Sequence, residues 1–156
     1  MNKVKTFKLS AVIACYNDEQ AIPEMYERLI KTFNKINCDY EIIFVNDGSL
    51  DNSTETIKKI CNQDKNVIGI IHSRNFNSQN AFSSGMLNSS GDAVVLLDGD
   101  LQDPPELIEK FTELWNEGND VVYGIRKWRQ TNFILKSFYK LFYRIFNKLA
   151  DINIPH

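Results

Sequence analysis

The residues best suited to chemistry stand in one run, Asp98-Gly99-Asp100-Leu101-Gln102-Asp103-Pro104-Pro105-Glu106. Two carboxylates two residues apart offer hard anionic oxygens of the kind that hold Mg²⁺ or Mn²⁺. The glycine between them removes a Cβ and lets a diphosphate approach the backbone. An isolated Asp-x-Asp is also what an ordinary solvated acidic loop looks like. Its neighbours decide between the two. The apolar run Ala93-Val94-Val95-Leu96-Leu97 just before it reads as a buried strand of a parallel sheet. Pro104-Pro105-Glu106 after it reads as a helix start, with proline near N1 and an acid in the first turn. The acids thus leave the carboxyl end of a strand, where open α/β sheets bind ligands.

The elements that must position this run recur along the chain. Strands are predicted over residues 9–14, 41–45, 66–71, 93–97 and 120–124, and helices after the turn 15–19 to about 34, from 53 to about 61, over 79–88 and over 106–116. Their alternation implies βαβ units with right-handed crossovers, hence an α/β fold with a mostly parallel sheet flanked by helices. Tyr16, Asp18, Asp47, Arg74, Asp98 and Asp100 all fall just after predicted strands. In a parallel sheet those ends share one edge, so a common cleft is expected. Turn chemistry alone could explain Asn46-Asp47-Gly48-Ser49, but four such turns on one edge are harder to dismiss.

With 156 residues, 43% of them hydrophobic, the chain is long enough for one well-buried domain and one core. Its net charge of −2 hides a division. Residues 1–120 hold 11 Lys and Arg against 19 Asp and Glu, whereas residues 121–150 hold seven basic residues and no acid. An acidic body and a basic tail with its own partner follow. Cys15, Cys38 and Cys61 lack any C-x-x-C spacing and read as reduced thiols in or beside core elements. The first eight residues are polar and basic and form no signal peptide, and no run of about 18 apolar residues could span a bilayer.

Several chemistries are excluded. Neither G-x-G-x-x-G nor G-x-x-x-x-G-K-[ST] occurs among the seven glycines. His72 and His156 are the only histidines, too few for a His-rich zinc site, and no nucleophile motif accompanies His72, which reads as a loop residue. Nucleic acid is disfavoured as a partner by the acidic body and the lack of a reader motif. A phosphohydrolase using Asp98 as nucleophile would carry its Asp-x-Asp after the first strand, not the fourth.

These residues together resemble the family 2 glycosyltransferases of the GT-A fold, and within them the polyprenyl-phosphate glycosyltransferases related to dolichol-phosphate mannose synthase. The likeness covers residues 8 to 150 and rests on Val12-Ile13-Ala14-Cys15-Tyr16-Asn17-Asp18-Glu19, Val45-Asn46-Asp47-Gly48-Ser49-Leu50-Asp51, Arg74-Asn75-Phe76, Gly91-Asp92, the run 98–106 and Gly124-Ile125-Arg126. It implies that Ala14, Tyr16, Asp18, Val45 and Asp47 line a nucleotide pocket, with Asp47 accepting the N3–H of a uracil. It further implies that Asp98 and Gly99 lie against the ribose and diphosphate, that Asp100 holds the metal, and that Gln102 and Arg126 face the sugar or phosphates. Ala14 stands where the family usually has proline, Asp18 where glutamate is common, and Asn77 where glycine often follows Arg-Asn-Phe; asparagine tolerates positive φ, so Asn77 can keep that loop's shape.

The expected activity is inverting transfer of a sugar from a nucleotide sugar, UDP-linked, to a polyprenyl phosphate, with Asp98, Asp100 and Arg126 as catalytic residues. Arg126 and Arg129 are candidates for the acceptor phosphate, since guanidinium forks match phosphate oxygens. Two alternatives stay open: a family 2 enzyme acting on a saccharide acceptor, and a non-catalytic nucleotide-sugar-binding module. Between residues 132 and 149, Phe133, Leu135, Phe138, Leu141, Phe142, Ile145, Phe146 and Leu149 surround Lys136, Lys140, Arg144 and Lys148 at i, i+4 spacing. That describes an amphipathic helix for an anionic membrane interface, with packing on the protein's own core as the other reading. The expected division is a donor-binding domain over 1–130 and a basic juxtamembrane helix over 131–156. The expected location is the cytoplasmic face of the cell membrane, with homo-oligomerisation left open. Family members continue beyond the last residues seen here, so a catalytic domain cut short at its carboxyl end is expected.

Overall fold

The computed structural model describes residues 7–125. Four strands and four helices alternate: β1 (Lys8–Cys15), α1 (Ala21–Ile36), β2 (Asp39–Asn46), α2 (Ser53–Gln63), β3 (Val67–Ile71), α3 (Ser78–Leu87), β4 (Ala93–Asp98) and α4 (Leu107–Asn116). All strand pairs are parallel and the order is β3-β2-β1-β4. The chain winds outward from β1 to β3 and then returns to lay β4 on the other side of β1. That reversal puts a topological switch point between β1 and β4, where a crevice opens at the carboxyl ends of the strands. Register sharpens it: Ala14 pairs with both Val45 and Asp98, so three strands end in one row.

The pleat sends alternate residues to opposite faces. Leu9, Ala11, Ile13 and Cys15 of β1 and Ile42 and Phe44 of β2 face Ile22, Met25, Leu29 and Phe33 of α1, Ile57 and Ile60 of α2 and Ile108 of α4. Val12, Ala14, Ile43 and Val45 face Ala81 of α3. The buried apolar residues therefore form two clusters rather than the single core expected, because the sheet divides them. α1 recurs in apolar residues at helical spacing and stops at Asn37, whose left-handed φ of 58° lets its N–H reach the Phe33 carbonyl. On the α3 face, a Cβ at Gly85 would fall 2.2 Å from Val12 Cγ1, so glycine sets how closely α3 sits on β1.

Two sequence expectations are corrected. Residues 121–125 have no strand partner, and Val121 and Tyr123 are 79% and 67% exposed, so the fifth strand over 120–124 is absent from the described residues. An apolar alternation proposes a strand, but only a neighbouring ladder makes one. Pro104 and Pro105 precede α4 in a turn whose carbonyls accept from Leu107 and Ile108, and Glu106 occupies the N-cap. α2 is capped from Asp51, whose Oδ1 accepts from the Ser53 backbone at 3.0 Å and from its hydroxyl at 2.6 Å. The predicted tail helix over 131–150, Arg126 and Arg129 lie outside the described residues. No helix among the described residues is long and apolar enough to cross a membrane.

Candidate functional site

The exits of β1, β2, β3 and β4 meet at the carboxyl edge. The β1 turn closes on itself, with the Tyr16 N–H donating to Asp18 Oδ2 at 2.8 Å. It is tied to the β2 exit by Asn17 N–H to Ser49 Oγ (2.9 Å), Leu50 N–H to Asn17 Oδ1 (2.9 Å) and Glu19 N–H to Asp51 Oδ2 (3.0 Å). The buried Asn46 holds the β2 turn by accepting from Ser49 N–H and donating to Thr54 Oγ1. Gly48, at φ 72°, is where the β3 exit crosses: a Cβ there would lie 2.4 Å from the Arg74 carbonyl carbon. Only glycine allows that backbone contact.

At the switch point the Gly99 N–H donates to the Ala14 carbonyl at 2.8 Å. A Cβ on residue 99 would lie 2.9 Å from Asp18 Oδ2 and 3.0 Å from the Ala14 oxygen and Cys15 sulfur. The glycine therefore serves the approach of the β4 exit to Asp18, a need not visible in the motif itself. Asp100 accepts from the Gln102 N–H at 3.0 Å across Leu101, which sits at φ 63°. Bulky residues rarely adopt that conformation. From the other flank, Arg28 of α1 grips Glu106 through two bonds of 2.8 and 2.7 Å and fixes the far end of this loop.

These turns enclose a cleft of about 390 Å³, within the usual range for small-ligand sites. Ala14, Cys15, Tyr16, Asp18, Asp47, Asp98, Gly99 and Asp100 line it, joined by Asn75 and Asn77 from the loop before α3 and Ser78, its first residue. The charged side chains among these are four aspartates. Burial raises the Asp18 carboxyl above its ordinary value, and Asp100, Asp51 and Asp98 raise it further, against the opposing Tyr16 N–H. Burial and the same acidic field push the Cys15 thiol up, so it stays protonated.

Among the described residues no three His, Cys, Asp or Glu side chains gather closely enough to hold a metal on their own. The mutual repulsion at Asp18, Asp98 and Asp100 still suits a hard cation that takes one or two carboxylates and completes its shell with phosphate oxygens and water. Two expected lining residues stand apart. Val45 is wholly buried against the α3 face, beneath the floor, and Gln102 is exposed and reaches the site through its backbone N–H. Arg74 lays its guanidinium over Phe76, 4.5 Å from the ring centre.

Asn75, the middle residue of the Arg-Asn-Phe motif, and Ser78, two residues beyond it, were given no role from the sequence. His72 proves more than a loop residue. Its Nδ1 lies 2.7 Å from Asp47 Oδ1, and its Nε2 lies 2.9 Å from Ser84 Oγ. No local pattern joins positions 25 and 12 residues apart in that way.

The sequence and the fold are shared with known proteins. The sequence profile of glycosyl transferase family 2 matches residues 10–156. The chain belongs to that family. It is similar to the uncharacterized glycosyltransferase YkcC of Bacillus subtilis strain 168, 43% identical over 94% of this chain and 46% of the relative. It is likewise similar to the undecaprenyl-phosphate 4-deoxy-4-formamido-L-arabinose transferase of Proteus mirabilis strain HI4320, 40% identical over 88% of this chain and 42% of the relative. The family 2 chain thus spans less than half the length of these relatives. Among solved structures, glucosyl-3-phosphoglycerate synthase from Mycobacterium tuberculosis in complex with UDP superposes with a TM-score of 0.58 at 16% identity, covering 96% of this chain and 54% of that one. The likeness establishes the GT-A fold.

Proposed function

We propose that this family 2 chain forms the donor-binding part of an inverting glycosyltransferase that moves a sugar from a nucleotide sugar, UDP-linked, to a polyprenyl phosphate at a membrane surface. The observation that carries the reading is the cleft at the switch point, where Asp18, Asp98 and Asp100 gather around Gly99, whose missing Cβ lets the β4 exit lie close to Asp18 and the Ala14 carbonyl. Family membership and the named activity of the Proteus mirabilis relative support it.

In this reading Tyr16, Asp18 and Asp47 hold the nucleoside, Asp98 and Gly99 lie along the ribose and diphosphate, and Asp100 would hold Mg²⁺ or Mn²⁺. A cation there would supply Lewis-acid stabilisation of the charge that grows on the departing diphosphate. The acceptor needs no strong base, because a phosphate monoester with a second pKa of about 6 is already anionic near neutral pH. Its oxygen attacks the anomeric carbon opposite the leaving group, which inverts the centre. Arg126 and Arg129 are assigned to the acceptor phosphate and Gln102 to the sugar or phosphates, on sequence order. The same reading divides the chain into a donor domain over 1–130 and a basic interfacial helix over 131–156, which would hold it at the cytoplasmic face of the membrane.

The test is calorimetric titration of UDP into the 156-residue chain with and without Mn²⁺. Binding that strengthens with the cation in wild type, and falls at least tenfold in Asp100→Ala, is expected. Absence of binding in wild type, or equal binding by both proteins, would sink the donor-site reading.

A further inference from the structure

We infer that His72, backed by Ser84, is a positioning and specificity-determining residue that restricts Asp47 to a single free acceptor and so selects a uracil-type base. The inference rests on the donor-site reading above. Asp47 is almost wholly buried, with its side chain 4% exposed, yet it lines the cleft. Its Oδ1 accepts twice, from the Phe76 backbone N–H at 2.9 Å and from His72 Nδ1 at 2.7 Å. Because a carboxylate accepts at both of these contacts, Nδ1 carries the proton, and in the neutral ring Nε2 is left to accept from the Ser84 hydroxyl at 2.9 Å. The imidazole is anchored further by its backbone N–H on the Asn46 carbonyl and by Phe76, whose ring meets it edge-on at 5.6 Å.

Oδ2 has no hydrogen-bond donor among the described residues. A buried carboxylate oxygen without a donor is costly, and this one belongs to a residue of the cleft wall, so a ligand N–H fits it. The base edges differ in what they bring. Uracil offers one N–H between two carbonyls and matches a single oxygen. Guanine offers two adjacent donor groups and needs both oxygens, one of which His72 and Phe76 already occupy. Cytosine and adenine would turn a ring-nitrogen acceptor toward the carboxylate. Discrimination of this kind comes from groups left unpaired in the wrong complex. The chain from Ser84 of α3 through His72 after β3 to Asp47 after β2 thus connects the packing of α3 to the choice of base.

The test measures UDP and GDP affinity, each with Mn²⁺, for wild type, His72→Phe, His72→Asn and Ser84→Ala, with thermal melts to establish folding. His72→Phe fills the space without a donor, and about tenfold weaker UDP binding with a reduced UDP-to-GDP preference is expected. Asn can place an amide N–H near the Nδ1 position, so His72→Asn is expected to recover most of both. Ser84→Ala is expected to give about a two- to threefold change in the same direction. If His72→Phe does not fold, Ser84→Ala decides alone, and an unchanged preference in it overturns the inference. Wild-type UDP binding that survives His72→Phe with an unaltered preference overturns it and leaves the donor site standing. A wild-type preference for GDP does the same. No wild-type nucleotide binding removes both.

Discussion

At the amino-terminal end of the sheet Glu41 is enclosed by donors, whereas at the carboxyl end Asp18 faces the cleft among Asp51, Asp98 and Asp100. Glu41 accepts from Lys8 Nζ at 2.6 Å, from Ser10 Oγ at 2.6 Å and from both the backbone and the hydroxyl of Ser90, and its side chain is 7% exposed. Burial alone would raise its carboxyl, but those bonds outweigh burial and hold it at about 2. Ser10 Oγ in turn accepts from Gly91 N–H, so the network joins β1, β2 and the segment leading into β4. Burial of Asp18 at the other end goes the opposite way, reinforced by Asp100, Asp51 and Asp98. The same kind of side chain stabilises the fold where donors surround it and opposes the fold where like charges do. A carboxyl that burial and neighbouring acids both raise, as at Asp18, marks the end where a ligand belongs.

The sharpest way to break this contrast is at Glu41. Glu41→Gln removes the charge facing Lys8 and is expected to cost about 3 kcal/mol in urea denaturation, with UDP affinity unchanged in the folded fraction. The pH dependence carries the same sign. The folded carboxyl lies below its ordinary value of 4.5, so its stabilisation is present above 4.5 and is lost as pH falls toward about 2. Acid titration of wild type should therefore show a stability loss in that window that Glu41→Gln lacks.

A smaller effect is expected at Gly99→Ala. The Cβ contacts near 3 Å involve the Ala14 carbonyl and the Asp18 carboxylate, so about 1–2 kcal/mol of stability should go. UDP affinity should fall with it, because the β4 exit must retreat from β1. Loss of stability with full affinity would show that the close approach serves packing alone.

The smallest effect has the opposite sign. Asp18→Asn keeps an oxygen for the Tyr16 N–H and removes a repelled charge. Ligand-free stability at neutral pH should rise by up to about 1 kcal/mol, while Mn²⁺-dependent UDP binding weakens. The sign follows from a folded carboxyl raised above 3.8: ionised Asp18 works against the fold at neutral pH, and the penalty disappears as pH falls below that value. A loss of stability in Asp18→Asn would place Asp18 with Glu41 and erase the distinction between the two ends.

Much of the site was legible before any coordinates, because strand-end turns announce themselves through apolar runs followed by Asp, Asn and Gly. Asp98, Asp100, Asp47 and Asp18 were read that way, and the cleft gathers all four. What misled was also local. Val121 and Val122 have strand-like side chains but no ladder beside them among the described residues, and Val45 belongs to the right row while its side chain turns to the α3 face. His72 could not be read because its meaning lies in Asp47 and Ser84, partners set by packing rather than spacing.

By itself the sequence determined the alternation of elements and the acidic turns, since side-chain period and turn chemistry are properties of adjacent residues, and its motifs carried the resemblance to the family. The tertiary structure alone decided which turns share an edge, through the β3-β2-β1-β4 order, and which oxygen of Asp47 stays open. Strand order and a hydrogen bond's second partner depend on segments far apart in the chain, and only the burial of both sheet faces brings those segments together.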